Sequence, residues 1–200
     1  HKERVMKITQ VFIVTGTPGT GKTTVSTILS ERLRARHIEL SKFSIENGYV
    51  IEDDVERDTK VVDMEALGSA IGEIIEKSSS PVIVDGHYAH ELVDGPLISR
   101  LLVLRRKPWN LKSVLEARHY SNEKVWENLE AEIMGVIIGE ALELIPGSKI
   151  FEIDTSNQTS GETADQIIEI IEGNASSKPI LDWVTYPETM ELLLSRSCTS

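Results

Sequence analysis

The sequence predicts one three-layer α/β domain built on a five-stranded parallel sheet. Strongly apolar, β-branched segments alternate along the chain with segments whose apolar residues recur at helical spacing, which is the pattern of βα units. The first apolar segment, residues 11–15, runs directly into a glycine-rich turn. The composition agrees, since 200 residues of which 40% are hydrophobic can bury one sizeable core.

The glycine-rich turn predicts a phosphate-binding loop. Residues 16–23 match the pattern G-x-x-x-x-G-K-[ST] without a mismatch. Glycines let backbone N–H groups approach a phosphate closely, and the following helix adds its positive N-terminal end. A glycine turn without a ligand is the alternative, which the strand–turn–helix context disfavours. The loop therefore predicts ATP binding by Gly16, Thr17, Pro18, Gly19, Thr20, Gly21, Lys22, Thr23 and Thr24.

Two side chains of this loop have expected roles in the chemistry. In loops of this pattern the lysine, here Lys22, reaches the β- and γ-phosphates. The hydroxyl of the next residue, Thr23, is placed to ligate Mg²⁺.

Apolar spacing and capping residues define the elements after the first helix. A short strand at 37–40 and a brief helix capped by Ser41 come next, followed by an acidic, irregular segment over 49–59. Asp63 then caps an amphipathic helix, and 82–87 form another buried strand.

The second half of the chain continues the alternation. Strands are expected at 101–105 and 150–154, with a helix over 111–118 between them. Ser121 caps one long amphipathic helix. A last helix follows the final strand, and residues 176–179 form a linker to a short C-terminal element.

Two polar residues at the end of strand 82–87 are candidate site residues. Asp85 ends an apolar run, where a carboxylate could hold Mg²⁺ opposite Thr23; the alternative is an aspartate that begins a polar loop. His87 falls on the same side as Asp85 if the extended conformation persists. It is then as well explained by contact with water or the γ-phosphate as by a structural role.

Several cations are candidates for neutralising charge on the transferring phosphates. Arg118 lies just before a helix reversal, where a mobile segment could close over them. Arg105 and Arg106, at the carboxyl end of a strand, could act from the sheet, and Lys124 has weaker support. Each of these could instead be a solvated surface side chain.

Charge and cysteine content exclude some functions. With 32 acidic and 21 basic residues the net charge is −11, so strong direct nucleic-acid binding is not expected, because phosphate contacts need clustered Lys and Arg. The single cysteine, Cys198, indicates a reducing compartment. Because neither a membrane-spanning run nor a signal-peptide segment is recognisable, we expect a cytoplasmic protein, or a nuclear one if eukaryotic.

Together these motifs resemble the adenylate kinase isoenzyme 6 family, the small nuclear-type adenylate kinases and their archaeal counterparts, also described as ATPases of small-subunit ribosome biogenesis. The resemblance spans about residues 8 to 172. One departure is His119, where the family usually has glycine, a residue that permits positive φ. The resemblance is carried in order by the loop 15–24, E-R-D…V-V-D at 56–63, V-I-V-D-G-H at 82–87, R-x-Y at 118–120 and the helix 127–142.

The resemblance implies a three-layer P-loop kinase fold over residues 1–175. Within it, a nucleoside-monophosphate-binding segment covers about 40–63 and a very short lid about 118–124; residues 176–200 are a C-terminal tail. It also implies adenylate kinase activity beside ATPase activity. A partner from the platform of the small ribosomal subunit, and hence a role in its maturation, is implied as well.

We therefore interpret the chain as an enzyme that transfers the γ-phosphoryl group of ATP to AMP. The expected metal ligands are Thr23 and Asp85, and the expected catalytic residues are Lys22, Asp85, His87 and Arg118, of which Arg118 also contacts ATP. AMP is anionic near pH 7, so the transfer needs no general base.

Two other interpretations remain open at this stage. One is an ATP-driven assembly switch with incidental kinase activity, and the other is a small-metabolite kinase that uses Asp58 or Asp63 as base. For the assembly role, the expected partner is a basic platform protein attracted by acidic residues in 52–58 and by Glu123, Glu127 and Glu130.

Overall fold

The computed structural model describes residues 9–54, 59–175 and 181–197. Its strands are β1 (Val11–Thr15), β2 (Arg36–Glu39), β3 (Val50–Asp54), β4 (Thr59–Val62), β5 (Val82–Asp85), β6 (Arg100–Arg105) and β7 (Ile150–Asp154). Five of them form one sheet in the order β2-β5-β1-β6-β7, and every pairing in it is parallel. The predicted five-stranded parallel sheet is confirmed.

Helices cover both faces of this sheet. In the described ranges they are α1 (Lys22–Leu33), α2 (Leu40–Glu46), α3 (Met64–Lys77), α4 (Ala89–Leu92), α5 (Pro108–Ala117), α6 (Asn122–Met134), α7 (Val136–Leu144), α8 (Ser160–Ile171) and α9 (Pro187–Ser197). Successive β1 residues face opposite layers: Ile13 packs with residues of α3 and α7, and Val14 packs with residues of α1 and α8. Both faces of β1 are buried, which explains its uninterrupted apolar sequence.

A third apolar cluster joins α5, α6 and α9 beside the sheet. Leu111 and Leu115 of α5 pack there with Leu129 of α6 and Leu192 of α9. The C-terminal segment 181–197 therefore packs against the same two helices that flank the reversal at Arg118.

Helix capping follows the sequence at two of three predicted positions. The Asp63 carboxylate accepts a hydrogen bond from Ala66 N at 3.0 Å, and the Ser121 hydroxyl accepts one from Lys124 N at 3.2 Å. Ser41 does not cap α2, because β2 runs directly into this helix and Glu39 stands at its N-cap position.

Two elements differ from the sequence-based expectation. The segment predicted to be irregular, 49–59, contains β3 and the first residue of β4, which pair as antiparallel strands; their β-branched residues favour strands despite the acidic composition. The predicted long helix is divided into α6 and α7 at Gly135, which has φ 62°, a left-handed conformation that ends a helix.

Some sequence-based predictions lie outside the described residues. These are the predictions for Glu56, Arg57, Asp58, the linker 176–179 and Cys198. Within the described ranges, no helix combines the length and apolar character that a membrane span requires.

Candidate active site

The glycine-rich loop joins β1 to α1 at the carboxyl edge of the sheet. Gly16 has φ 147°, and a Cβ at this position would lie 2.4 Å from the carbonyl oxygen of Leu104. No other residue type is compatible with that approach. Gly21, with φ 91°, precedes α1 and carries no side chain that could cap it. The first N–H groups of α1 are thus placed to meet an anion.

Lys22 folds back over this loop. Its Nζ donates hydrogen bonds to the carbonyl oxygens of Gly16 at 2.8 Å and Thr17 at 3.0 Å. Burial lowers the pKa of Lys22 to about 8, although the nearby Asp85 carboxylate opposes the shift. The ammonium is therefore held at the loop by weak carbonyl partners, which phosphate oxygens can replace with stronger charge-assisted bonds.

Asp85 lies across from Lys22 at the end of β5. Its carboxylate is buried; Oδ1 accepts a hydrogen bond from the Thr23 hydroxyl at 3.4 Å, and Oδ2 contacts Nε2 of His37. A carboxylate beside a hydroxyl is the oxygen ligand type that Mg²⁺ prefers. The pair Thr23 and Asp85 therefore fits the metal that accompanies ATP in phosphoryl transfer.

His37 is a functional candidate that sequence reasoning missed. It lies on β2, which pairs directly with β5. This neighbour relation could be recognised only once the strand order was known. Its contact with the second oxygen of Asp85 leaves the first oxygen directed toward Thr23.

We expect His37→Ala to reduce Mg²⁺-dependent turnover about tenfold or more, because outer partners that orient metal ligands have effects of that size. The measurement is turnover as a function of Mg²⁺ concentration, where the variant should need more Mg²⁺ for half-maximal rate. His37→Gln, which keeps an N–H donor, should recover part of the loss. An unchanged Mg²⁺ dependence in His37→Ala would show that Asp85 needs no such support.

His87 lies in the pocket, though for another reason than expected. Strand β5 ends at Asp85, so the extended conformation that the alternation argument required does not persist to His87. The chain turns there instead, and the imidazole packs edge-on against Tyr88 at 4.8 Å between ring centroids. Loss of hydration inside the pocket, followed by the positive charge of Lys22, lowers the pKa of His87 to about 4. The imidazole is therefore neutral at pH 7.

A pocket of about 700 Å³ is lined by residues of the phosphate loop and by Asp85 and His87. Arg118, at the reversal between α5 and α6, and Lys124, in the first turn of α6, also line it. A further part of the lining, which we call the acceptor side, comprises Glu39, Ser41, Tyr88, Glu91, Val136, Ile137 and Glu140.

The reversal at Arg118 keeps the backbone conformation that glycine would favour. His119 has φ 59°, so the histidine in this position adopts the left-handed region directly. Arg118 is exposed at the pocket, and its charge contributes to the lowered pKa of Lys22. The ammonium of Lys124 lies 4.3 Å from the centroid of the Tyr120 ring.

The two arginines at the end of β6 were expected to neutralise charge on the transferring phosphates, and the structure gives them other partners. Arg105 is buried in ion pairs with Glu132 and Glu152, at 2.8 Å and 2.5 Å. The expectation that it neutralises transferring phosphates is wrong, because its charge is already compensated inside the protein. Arg106 instead donates to the carbonyl oxygen of Gly19 at 3.2 Å, where it supports the loop backbone.

Glu132 links the phosphate loop to the C-terminal segment. Its buried carboxylate accepts hydrogen bonds from Thr17 Oγ1 at 2.6 Å, Arg105 Nε at 2.8 Å and Trp183 Nε1 at 2.8 Å. The sequence contained a signal for this residue, since Glu132 falls at helical spacing on the apolar face that includes Leu129. A charge on such a face is buried and needs partners.

The five-stranded parallel sheet and the glycine-rich loop that follows its first strand give this protein the three-layer P-loop kinase fold. Among solved structures, the shikimate kinase from Acinetobacter baumannii superposes with a TM-score of 0.60 at 14% identity, over 83% of this chain and 94% of that one. At that identity the likeness concerns the fold.

Sequence comparisons identify the family. The profile of the AAA domain family matches residues 13–135. A protein of Methanosarcina acetivorans named "Putative adenylate kinase" is 39% identical over 185 residues, which cover 86% of this chain and 96% of the relative. A protein of the same name from Methanocaldococcus jannaschii is 38% identical over 85% of this chain and 90% of the relative. The chain belongs to this adenylate-kinase-like family of P-loop proteins.

Proposed function

We propose that this protein transfers the γ-phosphoryl group of ATP to AMP. The observation that carries the proposal is that Lys22, Thr23 and Asp85 line one pocket together with the residues of the acceptor side. The relatives named "Putative adenylate kinase" support AMP as the acceptor. We assign the binding of AMP to the segment 40–63 together with the acceptor side, and ATP to the loop 16–24 with Arg118.

The side chains of the site supply positioning and charge. Lys22 and Arg118 neutralise negative charge on the phosphates, while the loop N–H groups fix their position. Thr23 and Asp85 would hold Mg²⁺, which when bound neutralises charge on the β- and γ-phosphate oxygens. A phosphate acceptor is already anionic, so the neutral His87 is not required as a base for this transfer.

An acceptor panel tests the proposal. ATP turnover is measured with AMP, with other nucleoside monophosphates, with small hydroxyl compounds and with water alone. We expect the highest kcat/KM with AMP and formation of ADP from both nucleotides. If AMP accelerates ATP consumption no more than water does, the transfer to AMP is wrong and an ATP-driven switch is favoured.

One of the two bases considered for a small-metabolite kinase is unsuitable. A hydroxyl acceptor needs a nearby general base. Asp63 is unsuitable because its carboxylate caps α3 and does not line the pocket. Asp58, the other proposed base, lies outside the described residues.

We further propose that the same site hydrolyses ATP, as the resemblance to the adenylate kinase isoenzyme 6 family implies. His87 would orient the attacking water, because its neutral ring can accept a hydrogen bond in the pocket. The low pKa of His87, about 4 in the free protein, leaves the ring neutral near pH 7. The titration of His87 in the free protein should therefore produce no inflection of kcat/KM for hydrolysis near pH 6.5.

We expect His87→Ala to lower ATP hydrolysis about tenfold or more while AMP phosphorylation changes less, since only hydrolysis requires a positioned water. Asp85→Ala should depress both activities together, because both depend on the metal. The measurement is the ratio of the two rates in each variant. Equal losses of both activities in His87→Ala would reject the assignment of water positioning.

A role in maturation of the small ribosomal subunit is also a proposal, with a basic platform protein as partner. The net charge of −11 supports steering of a basic protein. Two of the acidic residues first considered have other contacts, since Glu127 lines the pocket and Glu130 pairs with Arg196. Glu52 and Glu123 are exposed and are the better test positions.

We expect the association rate with such a protein to fall as salt is raised, because the Debye length shortens from about 10 Å at 0.1 M to about 3 Å at 1 M. The double variant Glu52→Lys, Glu123→Lys should bind more slowly at low salt. Glu169→Lys, an exposed change on α8, is the control. The measurement is the association rate by stopped flow. If this rate changes neither with salt nor in the double variant, the proposal of an electrostatically attracted partner is wrong.

A further inference from the structure

Three side chains of metal-binding type converge where α4 meets α7. His90 on α4 is buried, and its Nε2 lies 3.1 Å from Oε2 of Glu140 on α7 and 3.9 Å from Oε1 of Glu91. The three ligand atoms all lie within 4.8 Å of one another. Ligand atoms at about 2.0–2.2 Å from one metal ion are about 3–3.5 Å apart. Small rotations of the two half-exposed carboxylates are enough to reach that geometry.

The hydrogen bonds of His90 explain why a cation suits this position. Its Nδ1 lies 3.3 Å from the buried Thr15 hydroxyl, and that hydroxyl donates to the carbonyl oxygen of His87 at 3.3 Å. In the neutral ring one nitrogen donates and the other accepts. With the proton on Nδ1, this N–H donates to Thr15 and the lone pair of Nε2 faces Glu140 and Glu91; with the proton on Nε2, the ring donates to Glu140 instead. A cation held by the three side chains requires the first arrangement, which the Thr15 oxygen can accommodate.

The surroundings of His90 are those of a metal ligand. Metal-binding histidines commonly donate their other ring N–H to a fixed oxygen, which sets the tautomer and orientation. Thr15 provides that oxygen from the end of β1. The imidazole is thus held by the sheet, while Glu91 and Glu140 extend from the helices into the pocket wall.

We propose that His90, Glu91 and Glu140 bind a divalent first-row transition-metal ion of the Mn²⁺ or Zn²⁺ type. One imidazole with two carboxylates suits such ions, whereas Mg²⁺ prefers oxygen ligands alone. Three protein ligands leave a coordination position for water or substrate. The site is separate from Thr23 and Asp85, which form the site assigned to the Mg²⁺ of ATP.

The ion would change the charge of the acceptor side. Glu39, Glu91 and Glu140 line that side together, and their negative charge opposes an anionic acceptor. A divalent ion balances the charge of two of these carboxylates and offers a positive centre to a phosphate. This role in binding a phosphate-bearing acceptor rests on the proposed function, whereas the metal site itself does not.

Calorimetric titration of the full chain with Zn²⁺, without nucleotide, tests the site directly. We expect one site per chain whose affinity falls at least tenfold in Glu140→Gln and in Glu91→Gln. Both side chains are about half exposed, so these variants should fold. Glu143→Gln, an exposed change on the same helix, is the matched control and should bind as the unmodified protein does. Asp85→Asn should retain the site, since the Asp85 carboxylate contacts Thr23 and His37 and none of the three proposed ligands.

Two results would overturn the site. One is the absence of stoichiometric Zn²⁺ binding, and the other is binding that Asp85→Asn removes while Glu91→Gln and Glu140→Gln do not. The acceptor role is tested by AMP affinity with and without Zn²⁺, and an equal affinity would reject that role. Because the Zn²⁺ titration contains no nucleotide, its result is independent of whether AMP is the acceptor.

Discussion

Lys22→Ala is expected to slow ATP turnover about 100-fold or more, equivalent to about 3 kcal/mol of transition-state stabilisation. The ammonium already lies at the loop, bonded to the carbonyl oxygens of Gly16 and Thr17, where β- and γ-phosphate oxygens would replace them. Alanine keeps the helix but removes this positive charge. Steady-state kinetics with ATP and AMP measures the loss, and thermal unfolding checks that the fold is retained.

Lys77→Ala is the matched control for Lys22→Ala. Lys77 pairs with Glu73 on the exposed surface of α3, away from the pocket, so its loss should leave kcat/KM unchanged. Turnover by Lys22→Ala at the rate of this control would mean that the loop does not bind the transferring phosphates.

Lys22 also gives a pH dependence whose sign follows from burial. Because the pKa of Lys22 is lowered to about 8 in the free protein, a growing fraction of the amine is neutral as the pH rises through that value. Only the protonated form attracts phosphate strongly, so ATP affinity should weaken between pH 7 and 9. In Lys22→Ala this part of the pH dependence should be absent.

The parts of the site that are continuous in sequence were predictable, since the loop from Gly16 to Thr24 carries both its glycines and its side chains in one segment. Asp85 was recognisable because it ends an apolar strand. His37 and Glu132 could not be paired with Asp85 and Thr17 in advance, because tertiary packing brings those residues together over 48 and 115 positions. Arg105 was placed correctly at a strand end, but its buried partners were not visible in the sequence.

The prediction of secondary structure was wrong at two places, where the local composition or the apolar spacing indicated a different backbone conformation from the one observed. The acidic residues near Glu52 suggested an irregular loop, whereas residues 50–54 and 59–62, which include several β-branched residues, pair as β3 and β4. In the long helix the apolar spacing continues from α6 into α7 through Gly135. The spacing concealed a break that comes from the left-handed backbone of this glycine.

Glu132→Ala is expected to lower the free energy of unfolding strongly. Its carboxylate is the acceptor for Thr17, Arg105 and Trp183 inside the protein. Removal of one member of a buried ion pair costs about 3–5 kcal/mol, because the remaining charge is left uncompensated. Glu152 still pairs with Arg105 at 2.5 Å, which keeps the expected loss within this range. For a chain of this length, it corresponds to a decrease in Tm of about 6–20 °C.

Glu130→Ala separates this network from a general effect of losing a glutamate on α6. Glu130 is exposed and pairs with Arg196, and surface ion pairs contribute at most about 1 kcal/mol. The two variants are compared by denaturant unfolding in a shared Trp109→Phe, Trp126→Phe background, so that the fluorescence of Trp183 is a local probe of the C-terminal segment. We expect Glu132→Ala to lose several times more stability than Glu130→Ala and to expose Trp183, which is fully buried in the native protein.

Because Thr17 loses its partner as well, the KM for ATP should rise in Glu132→Ala at temperatures where the protein is still folded. Equal stability in the two variants, with an unchanged Trp183 signal, would show that the carboxylate of Glu132 does not hold the phosphate loop and the C-terminal segment together.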